Sequence, residues 1–228
     1  MHRIVVVTGA NGGLGRFVTE AFLAAGDTVV GVSRSVAGAD FAHTDFVALA
    51  ADLTDPAGAN GAVAEVVDRF GRIDVLVHVM GGFAGGQPVQ GTDDATWRRM
   101  MDLNLNSAFY TFRAVVPHMR RASQGRIVAI GGRAALEPGA NIAAYSASKA
   151  AMVALGRSLA AENNNHVITV NMLLPGTMDT PANRAADPRA DFSKWVAPAK
   201  VAQLALWLAS EEASEVTGAA IPVYGQGL

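Results

Sequence analysis

Short apolar runs rich in Val and Ile recur at residues 4–7, 28–32, 46–50, 75–79, 127–130, 167–173 and 219–223. Each is continuously apolar, the pattern of a strand buried on both faces rather than one with a wet side. Between most of them the period changes to that of a helix. After the first run, Leu14, Phe17, Val18, Ala21, Phe22 and Ala25 fall at i, i+3, i+4, i+7, i+8 and i+11, and Gly26 follows as a stop. Val63, Val66, Val67 and Phe70 repeat the stripe ahead of Gly71, and longer helical segments run over 93–118 and 143–161. Strand and helix alternating in this way predict an α/β fold, a doubly wound parallel sheet of Rossmann type with helices on both faces. A chain of 228 residues, half of them hydrophobic, fits such a fold as a single domain over 1–228.

Composition removes several classes of function. Eighteen Lys and Arg stand against twenty Asp and Glu with no basic cluster, so the footprint needed to hold a nucleic-acid backbone is missing. The absence of cysteine excludes a disulfide scaffold, thiolate metal sites and thiol chemistry, and no metal site is expected. Apolar runs are strand-sized and the chain enters its first strand at once, so neither a membrane span nor a signal peptide is expected, and a cytoplasmic location follows. Two stretches break the rhythm: the glycine-rich segment 80–91 and the long connection 175–198. Both follow strands, at the carboxyl edge where open α/β sheets bind ligands.

Directly after the first run the chain reads Thr8-Gly9-Ala10-Asn11-Gly12-Gly13-Leu14-Gly15 and then enters a helix. Glycines let the backbone turn tightly and approach a pyrophosphate, which the N–H groups and positive dipole end of the helix attract. The second run ends Val32-Ser33-Arg34. Where an acid would accept a ribose 2′-hydroxyl, a guanidinium can pair with a 2′-phosphate, so NADP(H) is preferred and NAD(H) remains open. Asp52 follows the third run next to Leu53, where it can cap a turn or accept from adenine. Further along, Tyr145 and Lys149 lie four apart at the start of a helical segment, on one face and within reach of each other. An ammonium beside a phenol stabilises phenolate and lowers its pKa, which makes Tyr145 a usable proton donor.

On the glycine-rich turn, Asp52, Gly81, Asn104, Tyr145 with Lys149, and Pro175-Gly176 with Thr180, the sequence resembles the short-chain dehydrogenase/reductase family over essentially its whole length. The resemblance implies a seven-stranded Rossmann fold binding NAD(P) through Gly9, Asn11, Gly13, Leu14, Gly15, Asp52, Leu53, Gly81, Tyr145, Lys149, Pro175, Gly176 and Thr180, to which the reading of the second run adds Arg34. It implies Tyr145 as proton donor, Lys149 as holder of the nicotinamide ribose, Asn104 as support of a proton-relaying water, and Thr180 as a contact of the carboxamide. It also implies a homo-oligomer, dimer or tetramer, through the helices carrying Asn104 and Tyr145. Small residues around the latter, such as Ala143, Ala150, Ala151 and Ala154, agree with a helix–helix interface.

Several positions depart from the family pattern. Its serine thirteen residues before the tyrosine is Gly132, and losing such a donor costs ~2.7–4 kcal/mol of transition-state stabilisation. Ser146 and Ser148 are poor replacements, since on a helix they project away from Tyr145. The motif after the fourth strand is His78-Val79-Met80-Gly81, and a histidine ending a buried strand is more often structural than a base. The terminal Val223-Tyr224-Gly225-Gln226-Gly227 departs as well. The missing serine, the loop Gly81-Gly82-Phe83-Ala84-Gly85-Gly86, the segment Gly132-Arg133-Ala134-Ala135-Leu136 and the stretch 174–195 together resemble the dihydropteridine reductase branch, which implies reduction of a quinonoid dihydropterin. An electron-poor quinonoid ring accepts hydride with little activation of its heteroatom. The alternatives are a conventional ketone or 3-oxoacyl reductase and a dinucleotide-binding sensor without chemistry. Phe83, Met178, Phe192 and Trp195, large apolar residues on the two long loops, are the candidates for a substrate wall.

Overall fold

The computed structural model describes residues 2–226; Met1 and Gly227 of the terminal motif lie outside them. Seven strands, β1 (Ile4–Thr8), β2 (Thr28–Ser33), β3 (Phe46–Ala50), β4 (Val75–His78), β5 (Gly125–Ile130), β6 (Ile168–Pro175) and β7 (Ala220–Val223), form one sheet in the order β3-β2-β1-β4-β5-β6-β7. Every neighbouring pair is parallel. Chain direction across the sheet reverses between β1 and β4, the switch point at which such sheets open a crevice beyond the strand ends.

The helices are α1 (Gly15–Ala24), α2 (Pro56–Phe70), α3 (Asp94–Met101), α4 (Ser107–Ala122), α5 (Ala143–Glu162), α6 (Pro181–Ala186) and α7 (Pro198–Leu208). Alternate strand residues feed two cores. Val6, Leu76, Ile127 and Val170 pack with Val63, Val66, Phe112, Val115, Met119 and Met152 from α2, α4 and α5. Val5, Val7, Val75, Val77 and Val128 pack with Val18 and Phe22 of α1 and Val201, Ala205 and Leu208 of α7. Local signals set the helix ends. At α2, the Asp55 carboxylate accepts from Gly58 N at 2.9 Å, Pro56 takes the first turn, and Gly71 at φ 76° closes the helix with a bond to Val67 O.

Two expectations from the sequence need correction. The helical segment 93–118 is not one α-helix: α3 and α4 are joined by a π turn over Asp102–Asn106, in which Ser107 N–H reaches Asp102 O. The long connection 175–198 is not irregular throughout, because Thr180 and Pro181 start the short α6 within it. The α7 helix follows, with Val201, Ala205 and Leu208 supplying the stripe that covers the second core.

Candidate active site

The turn between β1 and α1 is built by close backbone approach. Gly9 adopts φ 66°, and a β-carbon on Gly15 would fall 1.9 Å from Gly9 O. No side chain caps α1, so the backbone N–H groups of its first turn have no side-chain partner. An uncapped helix end behind a glycine turn fits a pyrophosphate, and on that ground the residues present suit a dinucleotide. Across the crevice, Thr180 is buried, caps α6 by accepting from Asn183 N at 3.3 Å, and lies 3.2 Å from the β-carbon position of Gly13. Pro175 ends β6, and Gly176 N–H donates to Val223 O. Residues some 165 positions apart in the chain thereby frame one cleft.

At the end of β2, Arg34 is exposed and makes no ion pair or hydrogen bond among the described residues, which leaves its guanidinium available. Asn11 is held by Ser33, whose hydroxyl donates to it at 2.8 Å, and lies 3.4 Å from the Asp40 carboxylate that also pairs with Arg16. Asp52 is exposed and caps its own turn, accepting from Thr54 N and Thr54 Oγ1 at 2.9 and 2.7 Å; those bonds hold its carboxyl below the usual carboxylate range. Leu53 is a correction. Its side chain is buried in the α2 side of the core, so only its backbone is left for a ligand.

Tyr145 and Lys149 occupy the first turns of α5 as their spacing predicts. Lys149 is buried, its Nζ donates to Ile130 O at 2.9 Å, and burial lowers its pKa to about 8. The expected acidification of Tyr145 by that ammonium is not met: burial pushes the phenol up. The phenol stays protonated at neutral pH. Gly132 is the neighbour that lets it sit where it does, since a β-carbon there would lie 2.6 Å from Tyr145 Oη.

Asn104 sits in the π turn, fully buried. Its Oδ1 accepts from Gly82 N at 2.9 Å, and its Nδ2 donates to Gly82 O and to Ser148 Oγ, each at 3.0 Å. A β-carbon on Gly81 would lie 2.8 Å from Asn104 Oδ1 and 3.0 Å from Lys149 Nζ, so this glycine seats both groups. Ser148, set aside as a replacement for the missing serine, indeed points elsewhere: it binds Asn104 and donates to Tyr145 O. Its structural part had no sequence signal beyond its place three residues after Tyr145.

Of the proposed wall residues, Phe83 is the one brought to Tyr145, ring to ring edge-on at 5.0 Å, with 62% of its surface exposed. Phe192 and Trp195 stack on each other at 4.8 Å, and Arg184 lies over Phe192 while pairing with Asp179. Met178 pairs with Val196 and packs on the second core. These three belong to the fabric of the 175–198 segment. Among the described residues no helix is long and apolar enough to cross a membrane.

Comparison with known proteins agrees with this geometry. The family model described as short chain dehydrogenase matches residues 3–191. The chain is a short-chain dehydrogenase/reductase. As such it is an NAD(P)-dependent oxidoreductase. This short-chain dehydrogenase/reductase is 33% identical to the 3-oxoacyl-[acyl-carrier-protein] reductase of Salmonella typhimurium, over 98% of this chain and 96% of the relative. It is 37% identical to the galactitol 2-dehydrogenase of Rhizobium johnstonii, over 96% and 92%. Among solved structures, the 3-ketoacyl-(acyl-carrier-protein) reductase of Brucella melitensis, complexed with NADH, superposes with a TM-score of 0.88 at 27% identity, covering 99% of this chain and 98% of that one.

Proposed function

We propose that this chain is a reductase that moves hydride from a reduced nicotinamide to the carbonyl carbon of a small ketone or 3-oxoacyl substrate, with Tyr145 as the proton donor. The observation that carries the reading is the half-buried Tyr145 against Gly132, with Lys149 and Asn104 seated together on Gly81. The comparisons support the carbonyl substrate over the dihydropterin expected from local motifs, since acyl-carrier-protein reductases match almost end to end. When bound, a reduced nicotinamide dinucleotide supplies the hydride. The first turn of α1 would hold its pyrophosphate, Arg34 would take a 2′-phosphate, and Thr180 and Gly176 would serve the nicotinamide end. Tyr145 Oη delivers a proton to the substrate oxygen, and Lys149, one turn further along the same helix, would hold the nicotinamide ribose. NADP(H) is the preferred cofactor and NAD(H) the lesser one.

Tyr145→Phe keeps the ring and removes the proton. It is expected to lower kcat by about 10²–10⁴-fold while NADPH affinity, measured by fluorescence titration, stays within about twofold. Wild-type turnover in this variant would remove Tyr145 from the mechanism.

A second reading, reduction of a quinonoid dihydropterin-like ring, is favoured by one observation. With a β-carbon position 2.6 Å from the phenol oxygen, the site has room for one hydroxyl donor where a carbonyl is best served by two. Cofactor oxidation measured with NADPH and NADH against ketones, 3-oxoacyl thioesters and chemically generated quinonoid dihydropterin separates the readings. Turnover confined to the quinonoid acceptor establishes the second, and binding without consumption across the panel would leave only a sensor. The protein is further proposed to form a homo-oligomer through α4 and α5.

A further inference from the structure

His78 has no part in the chemistry assigned above, yet it is fully buried and both ring nitrogens have partners. It ends β4 in register with Thr8 of β1. Thr8 Oγ1 lies 3.1 Å from Nδ1, and Ser107 Oγ of α4 lies 3.3 Å from Nε2. Counting protons gives each bond its direction. Ser107 has one hydroxyl proton and donates it to Leu103 O at 2.8 Å, so towards the ring it can only accept, and Nε2 carries the hydrogen. Thr8 Oγ1 accepts from Met80 N–H at 3.1 Å and keeps its own proton for Nδ1. A neutral imidazole in one tautomer thus completes a one-way chain from Met80 N–H through Thr8, His78 and Ser107 to the Leu103 carbonyl.

The far end of that chain lies in the π turn. In an α-helix Ser107 N–H would bond Leu103 O; here it reaches back to Asp102 O, and the Ser107 hydroxyl takes the Leu103 carbonyl instead. The next residue is Asn104, which grips both backbone groups of Gly82 and the hydroxyl of Ser148 on the helix of Tyr145. We infer that His78 is a positioning residue for the reduction, holding through Ser107 the π turn that presents Asn104 to the Tyr145 helix. This rests on the reductase reading, in which Asn104 and Lys149 serve Tyr145.

The two ends of the ring can be tested apart. Gln places an amide nitrogen where Nε2 lies, and Asn places its polar atoms only as far as Nδ1. His78→Gln, His78→Asn and Ser107→Ala are compared for NADPH oxidation with a 3-oxoacyl thioester and, in parallel, with quinonoid dihydropterin. With loss of one buried hydrogen bond, kcat is expected to fall about tenfold in His78→Asn and Ser107→Ala, with KM for NADPH unchanged, while His78→Gln retains most of the wild-type kcat. Adding Ser107→Ala to His78→Asn should cost little more than either alone. Equal loss in the Gln and Asn variants, a wild-type kcat in Ser107→Ala, or additive losses would overturn the inference. If His78→Asn does not fold, Ser107→Ala, which leaves the strand untouched, decides against His78→Gln. Tyr145→Phe, run alongside, separates the outcomes. Wild-type turnover there brings down the reductase reading itself, whereas its loss without the Gln and Asn split brings down only the part given to His78.

Discussion

Lys149 is a cation with almost no water, and its Nζ donates to the neutral carbonyl of Ile130. Burial disfavours the charged form, which is why its pKa falls to about 8 from the ordinary 10.5. The ammonium is therefore present below pH 8 and lost as the pH rises through it. If it stabilises the phenolate of Tyr145, kcat/KM for reduction should hold steady below that value and decline above it; a profile flat to pH 10 would show that the charge is not used. Gly132 makes the companion case. Its backbone, at φ 177°, suits any residue, so the constraint on it is the phenol oxygen alone. Gly132→Ala should push Tyr145 out of place and lower kcat several-fold, since small misplacements of a reacting group are costly, with KM for NADPH unchanged. A wild-type kcat would show that the phenol relaxes at no cost. Tyr145, Lys149 and Gly132 were all legible by spacing. The contact between Gly132 and Tyr145 was not, because it depends on how β5 lies against α5.

At the scale of elements, the cleft is assembled from segment ends: the glycine turn of β1–α1, the exposed end of β2, the π turn between α3 and α4, and the first turn of α6. Arg34 belongs here, an exposed cation just past the β2 end that makes no hydrogen bond or close ion pair among the described residues. Arg34→Ala should lower kcat/KM for NADPH about tenfold, as expected for one charge-assisted contact to phosphate, and change the NADH value little; equal loss with both cofactors would place Arg34 elsewhere. The glycine turn, its strand and its helix could be read from the chain because each is local. The π turn could not be. Residues 102–106 carry no sequence mark for it, and the contact that Ser107 Oγ makes with His78 reaches into β4, more than twenty residues away. Likewise the sequence did not show that the Leu53 side chain packs into the core on the α2 side, leaving only its backbone to face a ligand.

For the whole molecule, three helices leave apolar surface in water. Trp97 of α3 and Phe109 of α4 are 45% and 40% exposed, and Ala150 and Ala154 of α5 are exposed as well. A second copy covering α4 and α5 would remove that surface from water. Sedimentation velocity at micromolar concentration is expected to show a dimer or tetramer, and a monomer would contradict the proposed assembly. The sequence alone determined the parallel α/β sheet, the glycine turn between β1 and α1, and the placing of Tyr145 and Lys149 one turn apart on a helix, because each is written in period or in spacing within a few turns of chain. Tertiary structure alone decided which carbonyl Lys149 meets, that burial rather than the ammonium governs the phenol, which of four large residues reaches Tyr145, and that His78 joins β1 to the π turn. Those outcomes depend on distances between residues far apart in the chain, and on how much water the packed elements leave between them.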